Sequence, residues 1–152
     1  YVEIATDWLK NRVSEYDGNP YGRLVEFARQ ALEEGAPIKG VLLHQGESNT
    51  GDKEWPQKVK LVYNNLLADL DLSPDSVPLL AGELVNADQE GTCSSMNEII
   101  RTLPQVIPNS HVVSSAGCSA AEDRLHFNAE GYRELGKRYA QKVLTLLNDY
   151  KS

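Results

Sequence analysis

Two short polar segments contain the residues whose types and spacing suit acid–base chemistry. Residues 44–49 read His-Gln-Gly-Glu-Ser-Asn, and residues 123–126 read Asp-Arg-Leu-His. An Asp three residues before a His, in a turn, can place its carboxylate near the imidazole Nδ1, which selects the tautomer and leaves Nε2 free to accept a proton. The pair Asp123 and His126 would then be the base half of a nucleophilic hydrolase. The same spacing also occurs in helix starts that perform no chemistry.

The first polar segment offers a second set of groups. A side-chain amide beside a glycine, as at Gln45 and Gly46, suits stabilisation of a developing oxyanion, because the chain can turn there with exposed N–H groups. Glu47 is a second acidic candidate to orient His126. The alternative interpretation is a polar loop that caps the next helix, with His44 only ending a strand.

Strand and helix patterns alternate along the chain and place both polar segments. Apolar runs without helical spacing predict strands buried on both faces at 38–43, 77–82 and 111–116. Apolar residues with a period of 3.6 predict helices at 2–13, 21–32, 55–70 and 96–103, and a last helix capped by Asn128. Such alternation predicts a doubly wound α/β fold with a parallel sheet and helices on both faces. Ligands of these sheets lie outside the carboxyl ends of the strands, where both polar segments follow.

The composition excludes several other classes of protein. The 152 residues, of which 41% are hydrophobic and 24% charged, suit a single globular domain at 1–152. A formal net charge of −7 has the wrong sign for a nucleic-acid partner. No apolar stretch approaches the length that crosses a bilayer, so we expect no membrane partner.

The two polar segments and the residues around them resemble the carbohydrate esterase family 6 and sialate O-acetylesterase branch of the SGNH hydrolases. The matching pieces are 40–49, 77–83 and 123–132, which read GVLLHQGESN, VPLLAGE and DRLHFNAEGY. The resemblance implies the C-terminal, three-strand portion of a flavodoxin-like esterase domain. It also implies a serine esterase that removes acetyl groups from plant polysaccharides such as xylan, through an acyl-enzyme and without a metal or other cofactor.

By position, the resemblance implies a general base at His126 and an oxyanion hole to which Gln45 and Gly46 contribute. It leaves the triad acid open between Glu47 and Asp123. We favour Asp123, with Glu47 as a second carboxylate in the site, because Asp123 can reach Nδ1 inside one turn whereas Glu47 must approach from another loop.

The chain departs from that family at the nucleophile. The family carries its serine in a Gly-Gln-Ser-Asn block just after its first strand, and this chain has no such block. Ser48 falls in the family's third block, which does not supply the nucleophile. We therefore expect the C-terminal part of an esterase whose serine lies on a missing N-terminal segment. The strand at 40–43 would then expose an edge, which invites a companion segment or self-association.

Two alternatives stay open. A metal-dependent hydrolase would use two imidazoles and two carboxylates as ligands, namely His44, Glu47, Asp123 and His126. A non-catalytic carbohydrate-binding or assembly subunit would use exposed aromatic rings, for which the candidates are Trp8, Trp55 and Tyr63. Their helical spacing favours a place in the core for most of them.

The two cysteines leave the redox state open. Cys93 and Cys118 follow consecutive predicted strands at the same sheet edge, so either a disulfide or two free thiols fits the sequence. A disulfide suits an exported enzyme. We expect a secreted or cell-surface protein that acts on an acetylated polysaccharide or oligosaccharide, with an export signal outside this chain.

Overall fold

A computed structural model describes residues 19–149 of the chain, and the helix expected at 2–13 lies outside them. Three strands form one parallel sheet: β1 at Val41–Leu43, β2 at Leu79–Gly82 and β3 at Ser110–Val113. Their spatial order follows the chain, with β2 in the centre. In the register, Leu79 pairs with Val41 on one side and with Ser110 on the other.

Helices connect the strands and follow the last one. Their bounds are Pro20–Glu33 for α1, Trp55–Asp69 for α2, Met96–Ile100 for α3, Leu103–Val106 for α4 and Ala129–Asp149 for α5. Each crossover between neighbouring strands therefore contains helix, as parallel pairing requires. None of the helices described within 19–149 is both long enough and apolar enough to cross a membrane.

The crossover helices and the last helix lie on opposite faces of the sheet. Ala81 of β2 packs in one core with Trp55 of α2. Its neighbour Leu80 packs in a second core with Leu135 of α5. Because side chains of a strand alternate between faces, both faces of β2 are covered, and all four of its residues are buried. The expected α/β fold, a parallel sheet with helices on both faces, is confirmed.

The helix expected at 96–103 is two short helices. α3 ends at Ile100, and α4 begins at Leu103 with Pro104 in its first turn. Proline has no N–H to donate and its ring clashes with the preceding turn, so a helix stops before it but restarts readily with it near the new N-terminus.

Within the described residues β1 is an edge strand, which confirms the exposed edge expected of the strand at 40–43. It is not buried on both faces, as its apolar run predicted. Leu42 is 61% exposed, whereas its register partner Leu80 is fully buried. No strand between residues 19 and 149 pairs with the outer edge of β1. An apolar groove of about 380 Å³, which we call the edge groove, lies beside it; its lining includes Tyr21, Leu24, Leu42, Leu43, Val62 and Leu66.

Candidate active site

The second polar segment forms a tight turn in which Asp123 holds His126. Asp123 Oδ1 accepts hydrogen bonds from the backbone N–H groups of Leu125 and His126, each at 3.0 Å. Its Oδ2 lies 2.6 Å from His126 Nδ1. The carboxylate favours the tautomer with its proton on Nδ1, so Nε2 is the proton acceptor of the neutral ring.

Charge and hydrogen bonding shift the pKa of both groups. Hydrogen bonds from the His126 backbone, the His126 imidazole and the Leu125 backbone lower the pKa of Asp123 to about 2. The Asp123 hydrogen bond, helped by the charges of Asp123 and Glu47, raises the pKa of His126 above its usual value. The imidazole is 59% exposed. It therefore combines raised basicity with access for a substrate.

Local backbone contacts hold this turn in place. The Ala121 N–H donates to the His126 carbonyl at 2.8 Å, which closes the turn. Arg124 has a φ of 55°, the left-handed conformation that lets the chain reverse. Beyond the turn, Asn128 Oδ1 accepts a hydrogen bond from the Gly131 N–H at 2.9 Å. The expected cap of α5 at Asn128 is confirmed, and this cap lies two residues after His126.

Glu47 lies near both imidazoles at the carboxyl edge of the sheet. Its charge raises the pKa of His126, and at His44 it opposes the lowering of the pKa that burial of the ring produces. Within residues 19–149 no hydrogen bond joins the Glu47 carboxylate to His126. Glu47 therefore acts on both imidazoles through its charge, whereas the direct contact with His126 is made by Asp123.

The loop after β2 touches both polar segments. Cys93 Sγ lies 3.8 Å from the Glu47 carbonyl oxygen. The Thr92 N–H donates to the Arg124 carbonyl at 3.0 Å. The loops that follow all three strands therefore meet at one edge, as expected for a parallel sheet.

Gly82, the last residue of β2, allows two rings to approach the strand. A Cβ at Gly82 would lie 2.8 Å from His44 Nδ1 and closer still to the Tyr139 hydroxyl. That hydroxyl donates to the Leu43 carbonyl at 2.7 Å, which ties α5 to the end of β1. The His44 ring in turn packs against Phe127, with centroids 5.9 Å apart.

The Gln45 carboxamide belongs to a chain of polar contacts. Its Oε1 accepts from the Trp55 indole N–H at 2.6 Å, and its Nε2 donates to Asn49 Oδ1 at 2.7 Å. Asn49 Nδ2 donates to Asp52 Oδ2 at 3.3 Å, and Lys58 Nζ lies 2.8 Å from the same oxygen. These contacts hold the amide rigidly. An oxyanion role for Gln45 stays a prediction, and it would use the second hydrogen of Nε2.

Gly46 occupies a position that suits only glycine. Its φ is 156° with ψ of −17°, and a Cβ there would lie 3.2 Å from Met96 Cγ and 3.4 Å from Leu84 Cδ1.

We expect Gly46→Ala to lower the free energy of unfolding by about 1–3 kcal/mol, because backbone strain and overpacking add. Urea unfolding of this variant measures the effect. Gly136→Ala is the control, since a Cβ at Gly136 meets nothing within 4 Å.

Two of the aromatic residues proposed as sugar platforms are core residues. Trp55 is fully buried, and Tyr63 is only 4% exposed and donates its hydroxyl to the Val77 carbonyl at 2.5 Å. The expectation that most of these rings are core residues is confirmed for Trp55 and Tyr63, which are therefore not sugar platforms. Trp8 lies outside the described residues.

The ligand set of the metal-dependent alternative does not converge. Among the residues that the structure describes, no group of three His, Cys, Asp or Glu side chains is placed to hold a metal ion. His126 Nδ1 instead faces Asp123 Oδ2 directly.

Both cysteines are free thiols, so the disulfide left open by the sequence does not form. Cys93 packs against the core that contains Trp55, on the side of the crossover helices. Cys118 is buried in the core that contains Leu135, on the side of α5. The sheet separates the two thiols, although both follow strands at the same edge.

Sequence reasoning did not single out Glu83, which follows β2 directly and is 2% exposed. Its carboxylate accepts hydrogen bonds from three different segments of the chain. The sequence did contain a signal for it, because an acidic residue directly after a buried apolar strand needs hydrogen-bond donors from other parts of the fold.

Comparison with known proteins identifies the family of the chain. A family model described as carbohydrate esterase, sialic acid-specific acetylesterase, matches residues 3–145. The chain belongs to this family. The X-ray structure of a protein from Arabidopsis thaliana is similar, with 28% sequence identity and a TM-score of 0.69. The match covers 82% of this chain and 52% of that protein, so the chain spans about half of that protein's length. The expected family is thereby confirmed, whereas its family 6 branch stays a prediction.

Proposed function

We propose that this chain supplies the general base and the triad acid of a serine esterase that removes acetyl groups from a plant polysaccharide such as xylan, or from its oligosaccharides. The observation that carries the proposal is the 2.6 Å contact between Asp123 Oδ2 and His126 Nδ1, on an exposed turn at the carboxyl edge of the sheet. Membership of an acetylesterase family supports the reaction class. The proposal includes a secreted or cell-surface location, where a protein would meet a polymeric substrate.

In the proposed mechanism, His126 Nε2 takes the proton of a serine hydroxyl as its oxygen attacks the acetyl carbonyl. Asp123 stabilises the imidazolium that results, and N–H groups at Gln45 and Gly46 stabilise the oxyanion. The imidazolium then gives its proton to the sugar oxygen as the bond between that oxygen and the acetyl carbon breaks, which releases the sugar hydroxyl and leaves an acetyl-serine. Water, deprotonated by the same imidazole, hydrolyses that ester and releases acetate.

The nucleophilic serine, in this proposal, lies on a polypeptide segment that pairs with the free edge of β1. Three observations support this occupant of the edge groove. No strand within residues 19–149 pairs with the outer edge of β1, Leu42 is exposed, and the chain matches only about half of a similar protein. A strand added parallel to β1 would end at the edge where His126 lies, so a serine just beyond it would face the imidazole.

Purified alone, the 152-residue chain should have little or no esterase activity, because acyl transfer to an enzyme needs a nucleophile. The measurement is hydrolysis of an activated acetyl ester by the chain, first alone and then with a segment that contains a Gly-Gln-Ser-Asn block. Activity should appear only in the second case. Robust turnover by the chain alone, lost in both Ser48→Ala and His126→Ala, would contradict this and make Ser48 the nucleophile.

The place of binding can be tested with two matched substitutions. Leu42 on β1 and Leu144 on α5 are both 61% exposed. Leu42→Lys should abolish activation by the added segment, because a charge would enter the edge groove, whereas Leu144→Lys should leave activation unchanged. Equal loss in both variants would contradict pairing at β1. Self-association of the chain that Leu42→Lys abolishes would assign the groove to a second copy instead.

A further inference from the structure

The carboxylate of Glu83 joins three segments at the carboxyl edge of the sheet. Its Oε1 accepts from Arg101 Nε at 2.6 Å, beyond α3. Its Oε2 accepts from the Ser115 N–H at 3.1 Å, the Ser114 hydroxyl at 3.2 Å and the Asn86 amide at 3.3 Å. A carboxylate buried this deeply is stable only when such donors replace water.

Further contacts attach the same two loops to each other. The Ser115 hydroxyl donates to the Leu84 carbonyl at 2.6 Å, and the Gly117 N–H donates to Asp88 Oδ2 at 2.7 Å. The start of the loop after β3 is therefore fastened to the segment after β2. That loop continues into the turn at 123–126, which carries the imidazole.

The Asp123–His126 contact and the position of the whole turn depend on different interactions. The contact spans only three residues, so the turn can make it without help from the rest of the chain. The position of the turn relative to Glu47, which lies on another loop, depends instead on contacts between segments. These include the Thr92 N–H bond to the Arg124 carbonyl and the contacts that hold the loop after β3.

We propose that Glu83 is a positioning residue of this site: by anchoring the loop after β3, it sets the distance between His126 and Glu47. The link to turnover rests on the proposed function. The positional claim does not, because it can be measured on the isolated chain without any activity.

The test is a double-mutant cycle in which the pKa of His126 is the measured quantity. NMR titration of the His126 imidazole in the full chain gives that pKa for each variant. Glu47→Gln should lower the pKa of His126, since the Glu47 charge raises it. In a Glu83→Gln background the same Glu47→Gln change should produce a shift smaller by roughly half or more. Because the cycle compares differences, the direct effect of removing the Glu83 charge cancels.

Two further variants serve as a control and as a milder disruption of the Glu83 contacts. Glu98→Gln removes a charge from an exposed position on α3, outside the hydrogen bonds of Glu83, and should leave the coupling unchanged. Ser114→Ala removes one donor at an exposed residue, so it should reduce the coupling in the same direction even if Glu83→Gln fails to fold.

An undiminished coupling in folded Glu83→Gln, or in Ser114→Ala if that is the only folded variant, would overturn the proposal and leave Glu83 as a support of the fold alone. Failure of the esterase proposal would not change this result. The two proposals can therefore fail separately.

Discussion

Replacement of His126 by Ala in the chain complemented with the serine segment should lower kcat/KM for an acetyl ester by about 10³-fold. His126 has an exposed ring whose Nδ1 is held by a carboxylate at 2.6 Å. Its Nε2 is therefore oriented and basic, which suits it to take the proton of the serine. Steady-state hydrolysis of an activated acetyl ester measures the loss.

His44 is the matched control, because it is a second imidazole near Glu47 at the same edge. Burial lowers the pKa of His44, and its ring packs against Phe127 rather than facing a carboxylate. We expect His44→Ala to lower kcat/KM by about tenfold or less. A larger loss in His44→Ala than in His126→Ala would transfer the role of base to His44.

The contacts of the site that could be predicted from the sequence are those between residues close together in the chain. Asp123 and His126 are three residues apart, so their types and a turn are enough to bring the carboxylate to the imidazole. The cap of α5 at Asn128 is local in the same way. The parallel pairing of the strands was also accessible, because apolar runs separated by helices pair in parallel.

What the sequence could not predict depends on the partners of each residue across the fold. The exposed edge of the strand at 40–43 was expected, but its apolar run predicted burial on both faces. Leu42 is exposed because the burial of a side chain depends on which elements pack against it. The two cysteines share a sheet edge, but the faces on which they pack were not readable from their spacing. The donors to Glu83 include Arg101 and Ser115, 18 and 32 residues away.

The second large effect is expected when the acid that orients His126 is removed. Asp123→Ala should lower kcat/KM by about 10²- to 10³-fold, because the imidazole loses both the carboxylate that selects its tautomer and the charge that stabilises its protonated form. Glu47→Ala should lower it by about tenfold or less, since Glu47 reaches His126 through its charge alone. Parallel assays of the two variants in the complemented esterase measure the order.

The pH dependence of kcat/KM is a second, independent test of whether Asp123 or Glu47 is the orienting acid. The base must be neutral to accept a proton, so the rate falls as the pH decreases through the pKa of His126. Asp123 raises that pKa mainly by its hydrogen bond and then by its charge, and Glu47 adds less. Removing Asp123 should therefore move the acid limb of kcat/KM to lower pH while the plateau drops, and removing Glu47 should move the limb less. If Glu47→Ala produced the larger shift and the larger loss, the orienting carboxylate would be Glu47, and the Asp123 contact would only stabilise the turn.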